Sequence, residues 1–578
     1  MFHARLPLPR FRGLLFATLS VAIALPLSAQ SKSPLYPTLS TGTSLEATAD
    51  PNIARPNTKH CEVTLLDNQA FADFSNKDFS FTPPSDCKGP WSKVILTADF
   101  SIQPGVQFDR TAQLFFGGVN IYFGTTAEPL QTQTDTWHVE RDLTDYTSLF
   151  KSAQSGYAFL GNIVGADGLT STIFGTFKLE FYETNIVNPA PVTADEIVPI
   201  QDGGNSSFTI QTSTPVVTQA VTFPKNTEQV YLDVTSQSQN AEEQWFFCVP
   251  TEIATALNDC QDTAFRETEI SIDGKPAGIA PVYPWIYTGG LDPGLWVPVP
   301  GVQTLNLLPY RVDLTPFAGT LDDGNPHSVG VSVFNAYSYF TVTAQLLVFE
   351  DHGRAALSGA VTENTLTAPN PKVTDNVNLN ASGIGSGTTT VSNSHNFVIA
   401  GYLNTSHGRV DTKVEGQANF NNVTSITSTA NEYAQDTVQT STVNAKTTTR
   451  EGLLFTTSET SVSYPISVNL VETVLSNNNI TQATTIDQKY QKNETKTLEG
   501  FPIFESSVSN EVKPTDNALF VFNAAQGGYS LGQNTGQSSS QNYVYQDSLG
   551  NCYSRTLTVS GNVLETVKDG AACKGFRF

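Results

Sequence analysis

The sequence predicts an all-β protein: two related β-sandwiches in tandem, then a β-rich accessory domain. Three observations point there. Phe (35) and Tyr (19) are abundant, Met occurs once, and Thr, Val and Ile recur throughout; β-branched and aromatic side chains suit pleated, half-buried strands. Gly (41) and Pro (32) supply many turns between short apolar runs. Almost no long window carries the 3.6-residue period of an amphipathic helix. A chain of 578 residues has room for about three domains.

Residues 1–29 read as a secretory signal peptide. Arg5, Arg10 and Arg12 precede the apolar run Gly13 to Leu27, and Leu27-Ser28-Ala29 offers a small-residue cleavage site. A retained anchor is the alternative. The run is short for a membrane span and no later segment is long and apolar enough, so no membrane insertion is expected. The expected location is secreted, extracellular or periplasmic. Residues 30–57 form a polar linker with Pro34, Pro37, Pro51 and Pro56.

The first domain, 58–187, holds strand-like runs at Val63–Leu66, Lys93–Phe100, Ala112–Phe116, Tyr157–Leu160 and Thr176–Tyr182. Asp142 to Leu149 reads as a strand end followed by one helical turn. The second domain, 188–350, opens on the stiff Asn188-Pro-Ala-Pro191. Its runs include Gln229–Val234, Glu267–Ile272 and Val342–Phe349, and Asp273-Gly274 is a tight-hairpin signal. A weak repeat links the two domains: Arg141-Asp-Leu-Thr-Asp-Tyr146 and Arg311-Val-Asp-Leu-Thr-Pro-Phe317. Residues 351–578 are rich in Thr, Ser, Asn and Gln. They read as an accessory β domain, with strict alternation from Thr447 to Val462 and disorder as the alternative for parts. Sequons at Asn205, Asn404, Asn422, Asn479 and Asn493 follow from that composition and carry little weight.

Six cysteines in an exported chain suggest three disulfides. Closeness along the chain pairs Cys61 with Cys87, Cys248 with Cys260 and Cys552 with Cys573. A zinc site is the rival, without supporting ligand spacing. The net charge of −23 argues against nucleic acid and anionic membranes. It also suits acid surroundings, where self-repulsion falls as carboxylates protonate.

Polar residues in apolar, Gly-rich surroundings mark five candidate clusters. Gln107-Phe-Asp-Arg110 runs into an apolar strand, with Glu128 downstream before Pro129; a loop salt bridge from Asp109 to Arg110 or Arg141 is the plainer reading. Glu242-Glu243-Gln244-Trp245-Phe246-Phe247 sets two carboxylates before three aromatics, as a sugar site or as a strand edge with Trp245 in the core. Asp262 to Glu267 is the third. Trp285 and Trp296 sit in an aromatic, Gly-rich loop that is either a carbohydrate platform or a large buried loop; Tyr310-Arg311 is the fifth. No G-x-S-x-G elbow, H-E-x-x-H motif or nucleotide-binding glycine pattern appears. The scattered histidines His60, His138 and His327 read as structural. Carboxylate chemistry remains, with neither cofactor nor metal expected.

At these residues the sequence resembles the peptide:N-glycosidase A family, amidases that cut N-linked glycans from asparagine, including acid-active bacterial members. The matching runs include Pro90–Leu96, Gln107–Arg110, Gly117–Val119, Thr126–Pro129, Trp137–Thr144, Gly161-Asn162, Glu243–Phe246, Phe265–Glu267, Ile272–Lys275, Thr288–Gly290 and Leu295-Trp296. A more distant resemblance is to bacterial peptide:N-glycosidase F, a pair of eight-stranded jelly rolls. It implies that both sandwiches are jelly rolls. Phe108-Asp-Arg110 looks like its Trp-Asp-Arg segment, which makes Asp109 the key acid. Cys260–Arg266 looks like its Cys-Ala-Glu-Trp-Cys-Phe-Arg segment but carries Asp262 where that segment has glutamate. Asp262, Glu242, Glu243 and Glu267 therefore compete for the second carboxylate. Pro309–Asp313 looks like the segment that brings an arginine, here Arg311.

The resemblance implies amide hydrolysis with Asp109 as base, Arg110 or Arg311 at the oxyanion, and Glu243 or Asp262 as partner acid. It implies that Glu128, Glu242, Glu267, Asn162, Trp245, Trp285 and Trp296 contact substrate, an N-glycosylated peptide or protein, with the chain acting as a monomer. A secreted lectin-like protein that binds glycans without cutting them is the rival. A glycoside hydrolase, which would leave one GlcNAc behind, is the third reading.

Overall fold

The computed structural model describes residues 34–166, 168–523 and 528–573. The basic–apolar pattern of residues 1–29 lies outside the described residues.

The first sandwich is built from β1 (His60–Phe71), β2 (Lys77–Phe81), β3 (Trp91–Ile102), β4 (Thr111–Phe116), β5 (Val119–Thr125), β6 (Asp135–Asp142), β7 (Gln154–Leu160) and β8 (Ile173–Glu183). One antiparallel sheet runs β1-β8-β3-β6 and the other β2-β7-β4-β5. The nested pairs 1–8, 2–7, 3–6 and 4–5 therefore alternate between sheets. β8 shows why such residues form a sandwich: Ile173, Gly175, Phe177, Leu179 and Phe181 alternate inward while their neighbours face out. The inner faces meet in a core holding Phe71, Phe81, Leu96, Phe116, Phe150 and Phe181.

The second sandwich repeats the scheme with β9 (Glu196–Ile200), β10 (Phe208–Ile210), β11 (Val216–Thr222), β12 (Thr227–Gln239), β13 (Glu267–Ile272), β14 (Lys275–Pro281), β15 (Tyr310–Asp313), β16 (Pro326–Val333) and β17 (Tyr339–Glu350). Its sheets run β10-β17-β12-β15, with β9 also on β17, and β11-β16-β13-β14. The nesting is the same, and β9 with β10 is an interrupted first strand. The weak repeat falls on equivalent elements. Arg141 lies in β6 and Arg311 in β15, and each strand runs into a short 3-10 turn, Thr144–Lys151 or Thr315–Phe317. The β13–β14 hairpin turns at Asp273 (φ 50°) and Gly274 (φ 71°), both left-handed as a two-residue turn demands.

The described residues beyond 351 form one large antiparallel sheet of 13 strands. Its longest strands are Gly385–Thr405, Gly408–Ser428, Glu432–Glu451, Leu454–Val474, Ile480–Leu498 and Phe501–Asn523. The alternating window Thr447 to Val462 straddles a hairpin at Gly452-Leu453 rather than forming one strand. One face of the sheet shares a core with the second sandwich: Val443, Val462, Tyr464, Ile466, Val468, Ile486 and Val512 join Trp245, Trp285, Trp296 and Phe265.

The proline-rich stretch at 34–56 is a strap that crosses all three bodies. Thr43 O accepts from Leu564 N–H (2.9 Å), Ala47 N–H donates to Pro298 O (2.7 Å), and Ala49 N–H donates to Gln541 Oε1 (2.6 Å). Arg55 pairs with Glu140 (2.7 Å) and Glu180 (2.9 Å) on the first sandwich.

Cys248–Cys260 and Cys552–Cys573 are disulfides. Cys61 and Cys87 are neighbours but not bonded to each other. The Cys87 thiol donates to Phe181 O (3.4 Å), while burial and the adjacent Cys87 thiol push Cys61 up to about 12. The expected third disulfide is therefore absent.

Candidate functional site

The two sandwiches meet along the β5 edge. Tyr122 OH donates to Leu305 O (2.8 Å), Thr125 N–H to Thr304 O (2.9 Å) and Leu307 N–H to Phe123 O (2.8 Å). Gly124 permits this approach, because a Cβ there would stand 2.3 Å from Leu305 O. At one end of the seam the start of β4 and the end of β5 face the second sandwich. Thr111 donates to Gln237 Oε1 (3.2 Å), Gln239 donates back to Thr111 Oγ1 (3.2 Å), and Thr288 Oγ1 donates to Thr126 O (2.8 Å).

Asp109 lies in this cleft, in the loop entering β4. Its own N–H donates to Glu128 Oε2 (2.6 Å), and its carboxylate accepts the N–H of Gly289 from the second sandwich (3.2 Å). Glu243, on the turn that follows β12, stands close enough for the Asp109 charge to raise its pKa; its Oε1 accepts from Gln244 Nε2 (2.7 Å). Three carboxyls from three loops thus share one half-buried cleft. Burial raises all three, most strongly at Glu128, up to about 8, and Glu243, up to about 7, with Asp109 adding repulsion to both. At Asp109 burial is opposed by the Gly289 N–H and the Arg110 charge.

Arg110 turns to Gln107, donating Nη2–H to its Oε1 (2.7 Å), so the loop salt bridge is not formed. Its Nε is buried without a partner, which leaves a donor free beside the carboxyls. Gln107 is anchored in turn by donating to Ile163 O (2.9 Å) and Ser171 O (3.3 Å). Asn162 donates to the same Ser171 carbonyl (3.1 Å) and to Phe71 O (2.8 Å). It is fully buried behind Gln107, and so braces the loop instead of meeting a ligand. Phe108 is 56% exposed, with the Arg110 guanidinium 5.8 Å from its ring centroid.

The structure does not bring the other predicted residues here. Glu242 and Arg266 form an ion pair (2.8 Å) with both side chains at zero exposure, and Glu242 Oε2 accepts the N–H groups of Tyr337 (3.0 Å) and Ser338 (2.7 Å). Glu242 is therefore a structural anchor. Asp262 accepts from Thr251 Oγ1 (3.0 Å) in an exposed turn, and Glu267 pairs with His395 of the large sheet (3.1 Å). Arg311 is a clamp between the sandwiches, held by Asp233 (2.7 and 2.9 Å) and Asp145 (2.7 Å), with no contact to Asp109, Glu128 or Glu243. Trp245, Trp285 and Trp296 are 0–3% exposed core residues rather than a platform. Trp296 Nε1–H donates to Gly290 O (2.9 Å) and so shapes the loop that carries Gly289.

The Gly-Gly pair in Thr288–Gly290 stands in the sequence, but nothing there marks Gly289 as a donor to Asp109. A Cβ on Gly289 would stand 2.9 Å from Asp109 Oδ1 and 3.0 Å from Glu128 Oε2, so only glycine lets the backbone come this close. Among the described residues no group of three or more His, Cys, Asp or Glu is placed to hold a metal ion, and no helix is long and apolar enough to cross a membrane.

A family model described as Peptide N-acetyl-beta-D-glucosaminyl asparaginase amidase A matches residues 51–367. A curated relative from Prunus dulcis, peptide-N4-(N-acetyl-beta-glucosaminyl)asparagine amidase A, is 28% identical over 383 residues. That alignment covers 62% of this chain, and the chain spans 65% of the relative's length. Among solved structures, recombinant peptide:N-glycanase F aligns at 12% identity and TM-score 0.32, over 50% of this chain and 96% of that one. PNGF-II in a C2 crystal form aligns at 13% identity and TM-score 0.33, over 51% and 65%. With its matched region taking in both sandwiches and the carboxyl cleft between them, this chain belongs to the peptide N-acetyl-β-D-glucosaminyl asparaginase amidase A family.

Proposed function

We propose that this protein is an amidase that hydrolyses the bond between asparagine and the first sugar of an N-linked glycan, releasing the glycan and leaving aspartate. The observation that carries this reading is the half-buried Asp109 carboxylate, held by Gly289 N–H, with Glu128 beside it on the first sandwich and Glu243 facing it from the second. Family membership supports it.

In mild acid the negative charge settles on Asp109, while Glu128 and Glu243 keep their protons. Asp109 takes a proton from water as the water oxygen attacks the amide carbonyl carbon. The free Nε–H of Arg110 meets the developing oxyanion. As the C–N bond breaks, Glu243 protonates the leaving nitrogen. The products are an aspartyl peptide and a glycosylamine that loses ammonia on hydration. Glu128 fixes the Asp109 backbone and adds a second protonated carboxyl at the sugar end. One chain supplies both walls of the cleft, so a monomer suffices. The raised carboxyl pKa values suit an acid working pH, and the N-terminal pattern suits export.

The test is mass spectrometry of an N-glycopeptide incubated with the protein at pH 5. The expected product is the free peptide, about 1 Da heavier at the former asparagine, with the whole glycan released. An unchanged glycopeptide would instead mean a binder, and a retained GlcNAc a glycosidase. Gly289→Ala should lower kcat/KM about 10- to 100-fold, because the new methyl displaces Asp109 from its water by a fraction of an ångström or more; an unchanged rate would remove Gly289 from the site.

A further inference from the structure

The Gly289 N–H sits on a loop that the large C-terminal sheet grips, and that grip contains an unusual pair of acids. Gly290 O accepts from Asp292 N–H (2.8 Å) and from Trp296 Nε1–H (2.9 Å). Leu291 is left-handed (φ 63°), which reverses the chain, and its carbonyl accepts from Gln482 Nε2 (3.2 Å) of the sheet. Asp292 then caps the turn Pro293–Trp296, its Oδ1 accepting from Gly294 N–H (2.9 Å). The same Oδ1 accepts from Asn534 Nδ2 (3.2 Å), and that amide also donates to Asp516 Oδ2. Asp292 and Asp516 are 0% and 1% exposed. Asp292 Oδ2 is buried with no donor facing it.

Two buried carboxylates in contact cannot both stay ionised. The groups acting on Asp292 are the Gly294 N–H on its own turn, the Asn534 amide, and Asp516 on the strand Phe501–Asn523; the ionisable one among them is Asp516. We propose that Asp292 and Asp516 share one proton, and that this acid pair is a positioning device that ties the C-terminal sheet to the Gly289 loop and so sets the Asp109 carboxylate. The step from pair to activity rests on the amidase reading; the existence of the pair does not.

Burial first, and then Asp516, push Asp292 up to about 7, from an ordinary 3.8. The folded state therefore holds the proton more tightly than the unfolded chain. The pair's stabilising effect is complete below pH 3.8 and is lost as pH rises through about 7. Above that, the two charges repel and the loop loosens.

Asp292→Asn tests this in the full chain. The amide oxygen keeps the Gly294 and Asn534 bonds, and Nδ2–H stands where Oδ2 lacks a donor and reaches Asp516 without a titrating proton. The variant-to-wild-type ratio of kcat/KM on an N-glycopeptide should stay level at pH 4–5 and rise up to about tenfold by pH 8, one pH unit past the pair's titration. The Tm difference should grow in the same direction. Asp516→Asn repeats the measurement should the first variant fold poorly. Ratios and Tm differences that stay flat with pH in both variants would overturn the proposal. So would a wild-type Tm at pH 8 that moves with 1 mM Ca2+ or EDTA while Asp292→Asn does not respond, since a cation would then hold the pair. If the wild type leaves glycopeptide untouched, the amidase reading fails, while the Tm comparison still decides the pair.

Discussion

Asp109→Asn is expected to lower kcat by about 10³-fold or more, the usual worth of a positioned general base. The amide is isosteric and can still accept the Gly289 N–H, so KM should change little. Stability should move the other way. Burial raises the Asp109 pKa in the folded state, so ionisation at neutral pH works against folding. A neutral side chain removes that cost, and the Tm at pH 7 should equal or exceed that of the wild type. Rates on an N-glycopeptide and a thermal melt check both arms. Full activity in a folded variant would mean that some other group activates water.

The largest stability effect is expected at the buried ion pair one residue from the cleft. Arg266→Met takes the cation from Glu242 and leaves it only the Tyr337 and Ser338 N–H groups for company. Stranding one charge of such a pair costs about 3–5 kcal/mol. The double variant Glu242→Gln/Arg266→Met should recover part of the loss, because no unpaired charge then remains. Denaturant melts of the two singles and the double give the coupling directly. Additive losses would show that the pair carries no interaction of its own.

These two residues also explain what the sequence could and could not reveal. Glu242 and Glu243 are adjacent and chemically alike, yet one is a core anchor and the other faces the cleft. The turn Asn240–Glu242 is 3-10, so successive side chains point about 120° apart, and no composition argument says which points inward. The tryptophans posed the same problem: an aromatic, Gly-rich loop reads equally as a sugar platform or as packing, and Trp245, Trp285 and Trp296 are packing. Asp109 stands out in the sequence as an acid beside an arginine at the entry to an apolar strand, which composition alone reads as a loop salt bridge; it is the family resemblance that singles it out. Gly289 was not, since its contribution is a backbone N–H that only the meeting of two sandwiches brings to Asp109.

Strands with inward alternation, such as β8, were readable from their pattern, and the Asp273-Gly274 turn from its chemistry. The nested pairing was not, because register between distant strands is set by the shared core. In the C-terminal third, Val462, Tyr464, Ile466, Val468 and Leu470 alternate perfectly. Thr, Ser and Asn on the other face dilute that signal until it resembles a polar tract.

The shared core has a practical corollary for anyone wishing to miniaturise this protein. A chain cut near residue 350 would keep every carboxyl of the cleft, yet it would strip the cover from Trp245, Phe265 and Trp285 and remove the Gln488 amide that donates to Pro284 O and accepts from Val302 N–H. The excised fragment would present a raw hydrophobic wall, and sticky precipitate rather than a compact catalyst is what such a truncation should yield.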